Sequence, residues 1–214
     1  MQKIVLGIII VLAIVGTGVV FVVISSFREQ PETPGPGQTK EPTEIDTTFL
    51  ESLVDRHPEG EAYVAELLMA TDELKDDIAD NDFSAYLRMG VNLNLLKEQE
   101  RALEWYQKAL EQDSINLLAL NNMANIYNDL GQYDKSEGAW LKLIETYPDK
   151  TQFYRSLGYL YRFRMQKSPD EIEAFFKRGL RTTNNNPDLI IWLMGYFEET
   201  GNNEKWVEYA NLLK

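Results

Sequence analysis

The sequence predicts an all-α protein: an array of antiparallel helix pairs held behind an N-terminal transmembrane helix. Three observations carry this. Apolar residues at helical spacing recur after residue 82 with a fixed interval of 34 residues, the pattern by which stacked helical repeats show themselves in sequence. The run from Ile4 to Ile24, IVLGIIIVLAIVGTGVVFVVI, is uncharged over 21 residues, the length of a membrane span. Between the two lies a Pro-rich stretch with nothing to bury. The chain is thus divided into an anchor (1–28), a linker (29–44), an acidic helical segment (45–82) and a repeat domain (83–214).

Composition narrows the function. A hydrophobic content of 44% with four Trp supports a packed core, which excludes disorder over most of the length. There is no cysteine, so disulfides, thiolate metal sites and Cys nucleophiles are excluded together. The net charge of −13 is unevenly placed, with 14 Asp or Glu against 2 Lys or Arg between residues 41 and 82. Such a chain repels phosphate backbones, and nucleic acid is not an expected partner.

Taken in order, the Ile4–Ile24 run is read as one spanning helix of roughly 30 Å. A cleavable signal would have an apolar region of only about 7–15 residues followed by an Ala-x-Ala pattern, which is absent. Lys3 lies before the span and Arg28 and Lys40 after it, the latter among acids. A short amino-terminal tail inserts most simply with the amino terminus cytoplasmic, leaving the repeat domain extracytoplasmic. The linker EQPETPGPGQTKEPTE carries Pro31, Pro34, Pro36 and Pro42 and is read as a spacer. A short helix is expected from Thr47 or Thr48 to before Pro58, and a longer one from Glu61 to Asp80, together covering the exposed end of the array.

The repeats follow. Repeat one spans 83–116 and repeat two 117–150. Shifting by the period places Gly90 on Ala124, Ala102 on Ser136, Tyr106 on Trp140 and Ala109 on Leu143. A Gly inside a helix costs about 1 kcal/mol relative to Ala, so Gly90 asks for a packing reason, which a close helix crossing supplies. Repeat three (151–186) keeps Tyr154, Leu157, Gly158 and Tyr161. Its second helix starts late, at a capping box of Ser168 and Glu171 with Pro169 at the first helical position. Aligning Phe176 with Trp140 needs two extra residues near Met165–Lys167. A partial unit (187–214) begins at Asn186 and Pro187.

The marked positions Leu120, Met123, Ala124, Tyr127, Gly131, Ser136, Trp140 and Pro148 resemble those of the tetratricopeptide repeat family. The resemblance implies a right-handed superhelix, a tetratricopeptide-like α-solenoid, that binds proteins or peptides without catalysing a reaction. It also implies a concave groove lined by the first helix of each repeat, with ligands met at positions two, five, nine, twelve and thirteen. Carried onto this sequence, repeat two offers Asn121, Asn125, Asn128 and Asp129, repeat three offers Arg155, Tyr159, Arg162 and Phe163, and the partial unit offers Trp192, Tyr196 and Glu199. The family's carboxylate clamp wants Lys at position five, where this chain has Leu87 and Asn121.

The residue types themselves point to an extended or carboxylate-bearing segment. Amides both donate and accept, so an Asn row can pair with any peptide backbone. Arg forks suit carboxylates, and Tyr and Trp supply rigid contact area. No catalytic, metal-binding or cofactor motif accompanies them: G-x-x-x-x-G-K, G-x-S-x-G and H-E-x-x-H are absent, and His57 is the only histidine. The expectation is therefore a membrane-anchored interaction scaffold, with an accessory or chaperone subunit of a membrane machine as the alternative. A further alternative is a homo-oligomer, self-assembled through an apolar surface of Trp192, Trp206, Tyr209 and Leu213.

Overall fold

The computed structural model describes residues 9–15, 18–24, 47–75 and 79–214, in two units, Met1–Glu44 and Ile45–Lys214. In the first, β1 (Ile9–Val15) and β2 (Gly18–Ile24) pair antiparallel, with Ile9 opposite Ile24 and Val15 opposite Gly18. Over residues 9–15 and 18–24 this corrects the expected helix, and among the described residues no helix is long and apolar enough to cross a membrane. Composition supplies the reason. The run is dominated by Ile and Val, whose branched Cβ favours extended backbone, and Gly16 and Gly18 weaken a helix at its middle. The 29–44 linker lies outside the described residues.

In the second unit, α1 (Thr47–Arg56) leads through a single 3-10 turn at Pro58–Gly60 into α2 (Glu61–Lys75). Leu50 and Leu53 of α1 and Val64, Leu67 and Ala70 of α2 are buried with Ala85, Met89 and Leu93 of the following helix and with Leu96 just past its end. The acidic pair thus turns its apolar face onto the first repeat. The helix expected to run from Glu61 to Asp80 instead stops at Lys75, and α3 (Ala79–Leu95) starts four residues before Phe83. Residues 76–78 lie outside the described ones.

The remaining helices alternate at the repeat interval: α4 (Gln99–Gln112), α5 (Leu117–Asp129), α6 (Tyr133–Thr146), α7 (Thr151–Phe163), α8 (Pro169–Thr182), α9 (Pro187–Glu199) and α10 (Asn203–Ala210), closed by a 3-10 turn at Asn211–Leu213. Short turns fold each pair back on itself. Local chemistry sets the starts. Asn116 accepts from the Ala119 amide, Asn186 from Asp188 and Asn202 from Lys205, satisfying amides that a helix leaves open. The Ser168–Glu171 capping box is formed in both directions, and α8 starts two residues later than the period from α6 would place it. Gly131 and Gly201, at φ +72° and +73°, close α5 and α9 in the left-handed region, and Lys97 takes the same conformation at φ 65° in repeat one.

The repeat signature is a packing device. A Cβ on Gly90 would stand 2.7 Å from Cε1 of Tyr106, and one on Gly158 would stand 2.5 Å from Cζ of Phe176. Each small residue therefore admits the large ring of its partner helix. Ala124 and Trp140 are the corresponding pair in repeat two, both in one buried cluster, where the Ser136 hydroxyl also donates to the Ala124 carbonyl at 2.8 Å. Tyr106 is fully buried. Burial pushes its phenol up to about 12 against the opposing effect of the Asn122 amide, which donates to its hydroxyl at 2.8 Å.

The core has two parts that meet at α5. Its Ala119, Met123 and Ile126 belong with α1–α4, while Leu120 and Ala124 belong with α6–α10. The second part contains an aromatic column: Phe176 stacks on Trp192 at 4.0 Å between centroids, and Trp192 on Tyr196 at 5.7 Å. At the chain end, Tyr209 stacks on Phe197 and donates to Glu173, which also takes Lys177 and Lys205. Trp192 and Tyr209 are therefore core residues, which removes them from the apolar surface suggested for self-assembly. The order is dictated by α10, whose only buried position is Tyr209.

Candidate functional site

The first helices of successive repeats place the candidate residues, with α3 against α5 and α7 against α9. Two clefts flank α7. One, of about 280 Å³, is lined by Arg155, Tyr159 and Arg162 from α7 and by Asp188, Ile191, Trp192, Gly195, Tyr196 and Glu199 from α9. The other, of about 610 Å³, is lined by Asn125 and Asn128 of α5, Trp140 of α6, and Ser156, Tyr159, Leu160, Phe163 and Arg164 at α7. Tyr159 lines both.

Nine of the eleven residues expected from sequence reach one of these clefts, all but Asn121 and Asp129. The Asn121 carbonyl accepts from the Asn125 amide at 2.9 Å, because residues four apart share a helix face. The Asn row is therefore partly satisfied within α5 itself. Asn128 likewise points its amide at Asp129 at 3.4 Å, and Asp129 accepts from Gln99 of the neighbouring repeat at 3.3 Å. Trp192 and Tyr196 line the smaller cleft but are only 9% and 5% exposed, so they are chiefly its structural wall. In the last unit the tight-crossing position is not Gly195, which has open space where a Cβ would stand, and that space belongs to the cleft.

Tyr159 and Phe163 form the exposed apolar platform, 48% and 55% accessible, with their rings stacked at 6.0 Å. Tyr159 meets Trp192 edge-on at 5.8 Å, which ties the platform to the buried column. Arg162 is committed: it pairs with Glu199 across the smaller cleft and lies over the rings of Phe163 at 4.6 Å and Tyr196 at 5.2 Å. The Tyr196 phenol is raised by burial, with the nearby Arg162 charge opposing. Asp188 accepts from Thr151 at 3.0 Å. Arg155 is exposed and has no ion-pair partner among the described residues. Around it, residues 150–182 hold eight Lys or Arg against three Asp or Glu, a local reversal of the chain's acidity.

Sequence reasoning missed Arg164, Ile191, Ser156 and Leu160. Arg164 sits just past the end of α7, beyond the positions the family pattern marks, and only its place as the capping residue brings it to the cleft. Among the described residues no three His, Asp or Glu gather as a metal site.

Residues 105–138 match the family model of the tetratricopeptide repeat, from the second helix of repeat one into that of repeat two. Over those residues the chain is similar to a single tetratricopeptide repeat. Solved structures agree in fold. A tetratricopeptide repeat protein from Parabacteroides merdae superposes with a TM-score of 0.55 at 19% identity, covering 78% of this chain and 66% of that one. A crystal structure of MamA gives 0.55 at 14% identity, covering 74% and 90%. A MamA fragment from Desulfovibrio magneticus gives 0.53 at 13%, covering 79% and 94%. At these identities the likeness establishes the fold of the repeat array.

Proposed function

We propose that this chain is a membrane-attached interaction scaffold whose repeat array holds an extended segment of a partner protein along α5, α7 and α9. The observation that carries the reading is Tyr159, an exposed ring shared by two clefts and backed by a buried aromatic column. Rigid aromatic surface set in a depression, with a polar rim, is the composition that dominates binding energy at protein interfaces. Arg155 and the amides of Asn125 and Asn128 rim it and suit a ligand with a carboxylate and free backbone groups. Binding of this kind needs no reacting group.

The attachment rests on the sequence of Ile4–Ile24, whose uncharged length has no use in water. Fractionation of cells expressing the full chain tests the attachment, and recovery in the soluble fraction rejects it.

The groove is tested by crosslinking in membranes. The double variant Arg155→Glu, Tyr159→Ala is expected to lose the crosslinked partner while its thermal unfolding stays unchanged. Capture at the wild-type level rejects the groove. A second reading, association with another copy, is favoured by the exposed Trp206, Val207, Leu212 and Leu213 at the chain end. Light scattering that finds only monomers rejects it.

A further inference from the structure

The smaller cleft is a slot between α7 and α9, fastened at both ends. At the starts of the two helices the Thr151 hydroxyl donates to Asp188 at 3.0 Å, and at their ends Arg162 pairs with Glu199. Between these ties, Ile191 and Gly195 stand four residues apart on one face of α9, opposite Tyr159 of α7. The middle of the slot is therefore apolar. Tyr159 and Ile191 are 48% and 57% exposed, and the Trp192 ring, edge-on to Tyr159 at 5.8 Å, backs them. Gly195 leaves a notch there. A glycine weakens a helix interior, and Gly90, Gly158 and Gly179 each have a reason in the core, since each gives way to a ring, of Tyr106, Phe176 and Tyr154. Gly195 gives way to no side chain of its own protein: nothing lies within 4 Å of where its Cβ would stand. Gly138 is equally open but lines neither cleft.

Resting on the groove reading above, we infer that this slot takes one large, uncharged apolar side chain of the partner segment, seated on Gly195 between Tyr159 and Ile191. Charge and size choose the occupant. Arg155 and Arg162 from α7 face Asp188 and Glu199 from α9, so the slot carries no net charge. Glu199 stands one turn from Gly195 and is already matched by Arg162. A charged side chain on Gly195 would lose its water among Tyr159, Ile191 and Trp192 without gaining a free counter-ion there. An apolar side chain covers the exposed surfaces of Tyr159 and Ile191, and removing such surface from water favours association. The volume of about 280 Å³ lies below the roughly 300–1,000 Å³ of small-molecule pockets, and both rims are exposed. Such a space suits one residue of a chain passing over it rather than an enclosed ligand.

The test uses the full chain in detergent micelles and short fluorescein-labelled peptides with blocked ends, Ser-Gln-Ser-Gln-X-Gln-Ser-Gln-Ser, in which X is Leu, Ala or Glu. Fluorescence anisotropy, corrected for empty micelles, is expected to show the Leu peptide binding about tenfold more tightly than either of the others, the effect of burying most of a Leu side chain beyond its Cβ. Gly195→Leu fills the notch from within. It is expected to abolish the preference while melting no lower than wild type, because its Cβ meets nothing and Leu favours a helix. Should it melt lower, Gly195→Ala, which adds the Cβ alone, decides the point by narrowing the preference. Equal binding of the three peptides, no binding at all, or a Leu preference that survives both substitutions overturns the inference. If in that case Tyr159→Ala still abolishes crosslinking of the partner in membranes, the groove reading stands and only the seated side chain falls. If Tyr159→Ala also changes nothing, both fall.

Discussion

Replacing Gly158 with Ala tests the packing logic of the whole array. In an ordinary helix interior the change is favourable by about 1 kcal/mol, because Ala restricts the unfolded chain and pays no backbone penalty. Here the new Cβ would stand 2.5 and 2.6 Å from Cζ and Cε2 of Phe176 and 3.0 Å from Cζ2 of Trp192, where carbon atoms normally rest about 3.5–4.0 Å apart. The ring must retreat by about 1 Å. It has nowhere to go: Phe176 is fully buried, packs edge-on to Phe175 at 5.1 Å and lies flat on Trp192. Overpacking of this kind costs about 1–3 kcal/mol, and a clamped aromatic belongs at the upper end, so the expected net loss is about 2 kcal/mol after the helix gain. For a domain of this size that lowers the melting temperature by about 4–8 °C. Gly138→Ala in α6 is the control, since nothing lies within 4 Å of its Cβ and it is exposed. Thermal melts followed by far-UV circular dichroism should move in opposite directions, down for Gly158→Ala and up slightly for Gly138→Ala. Equal shifts would show that the small residue is not admitting the ring.

Glu173 gives a pH prediction. Burial acts to raise its carboxyl, but hydrogen bonds from Lys177, Lys205 and Tyr209 outweigh this and hold it down at about 2. A carboxyl lowered on folding stabilises the protein in full above its unfolded value of about 4.3, and that contribution is lost as the pH falls through this value toward about 2. The amount at neutral pH is roughly 2–3 kcal/mol. Urea melts of wild type and Glu173→Gln should therefore differ at pH 7 and converge toward pH 2, and a constant difference would dismiss the account. Gly131→Ala should cost about 1 kcal/mol through backbone strain alone, since its Cβ would meet nothing, whereas Lys97→Gly at the matching turn should be neutral or slightly stabilising by the same measurement. Tyr106→Phe should cost about 1–3 kcal/mol in chemical denaturation, because it strands the Asn122 amide beside a buried ring.

What could be read from the residues was whatever rests on local contact at a fixed period. Gly90 with Tyr106, Ala124 with Trp140 and Gly158 with Phe176 meet in space as their spacing requires, and the two-residue insertion before α8 was legible because Ser168, Pro169 and Glu171 form a start signal independent of the period. The partial unit was harder. Its Gly195 invites alignment with Gly158, yet stands one place beyond the crossing, so residues assigned to the groove by counting, Trp192 and Tyr196, turned out to be largely core. The boundary between α2 and α3 carries neither Gly nor Pro, and acid-rich helical sequence on both sides conceals it. In Ile4–Ile24 apolar length and β-branched composition argue for opposite backbones, and length was given the greater weight. Arg164 escaped notice because its role depends on where α7 ends rather than on a repeat position.

The split loyalty of α5 has a mechanical side. With one flank sealed into α1–α4 and the other into α6–α10, it works as a party wall: neither neighbour can open without stripping it bare on one side. A lesion confined to either half should be arrested there, so that partial melting leaves one half standing with α5 attached to it. A guest lying from Asn125 on this wall to Arg155 beyond it ties the wall to the second room alone, so that on partial melting α5 stays with α6–α10.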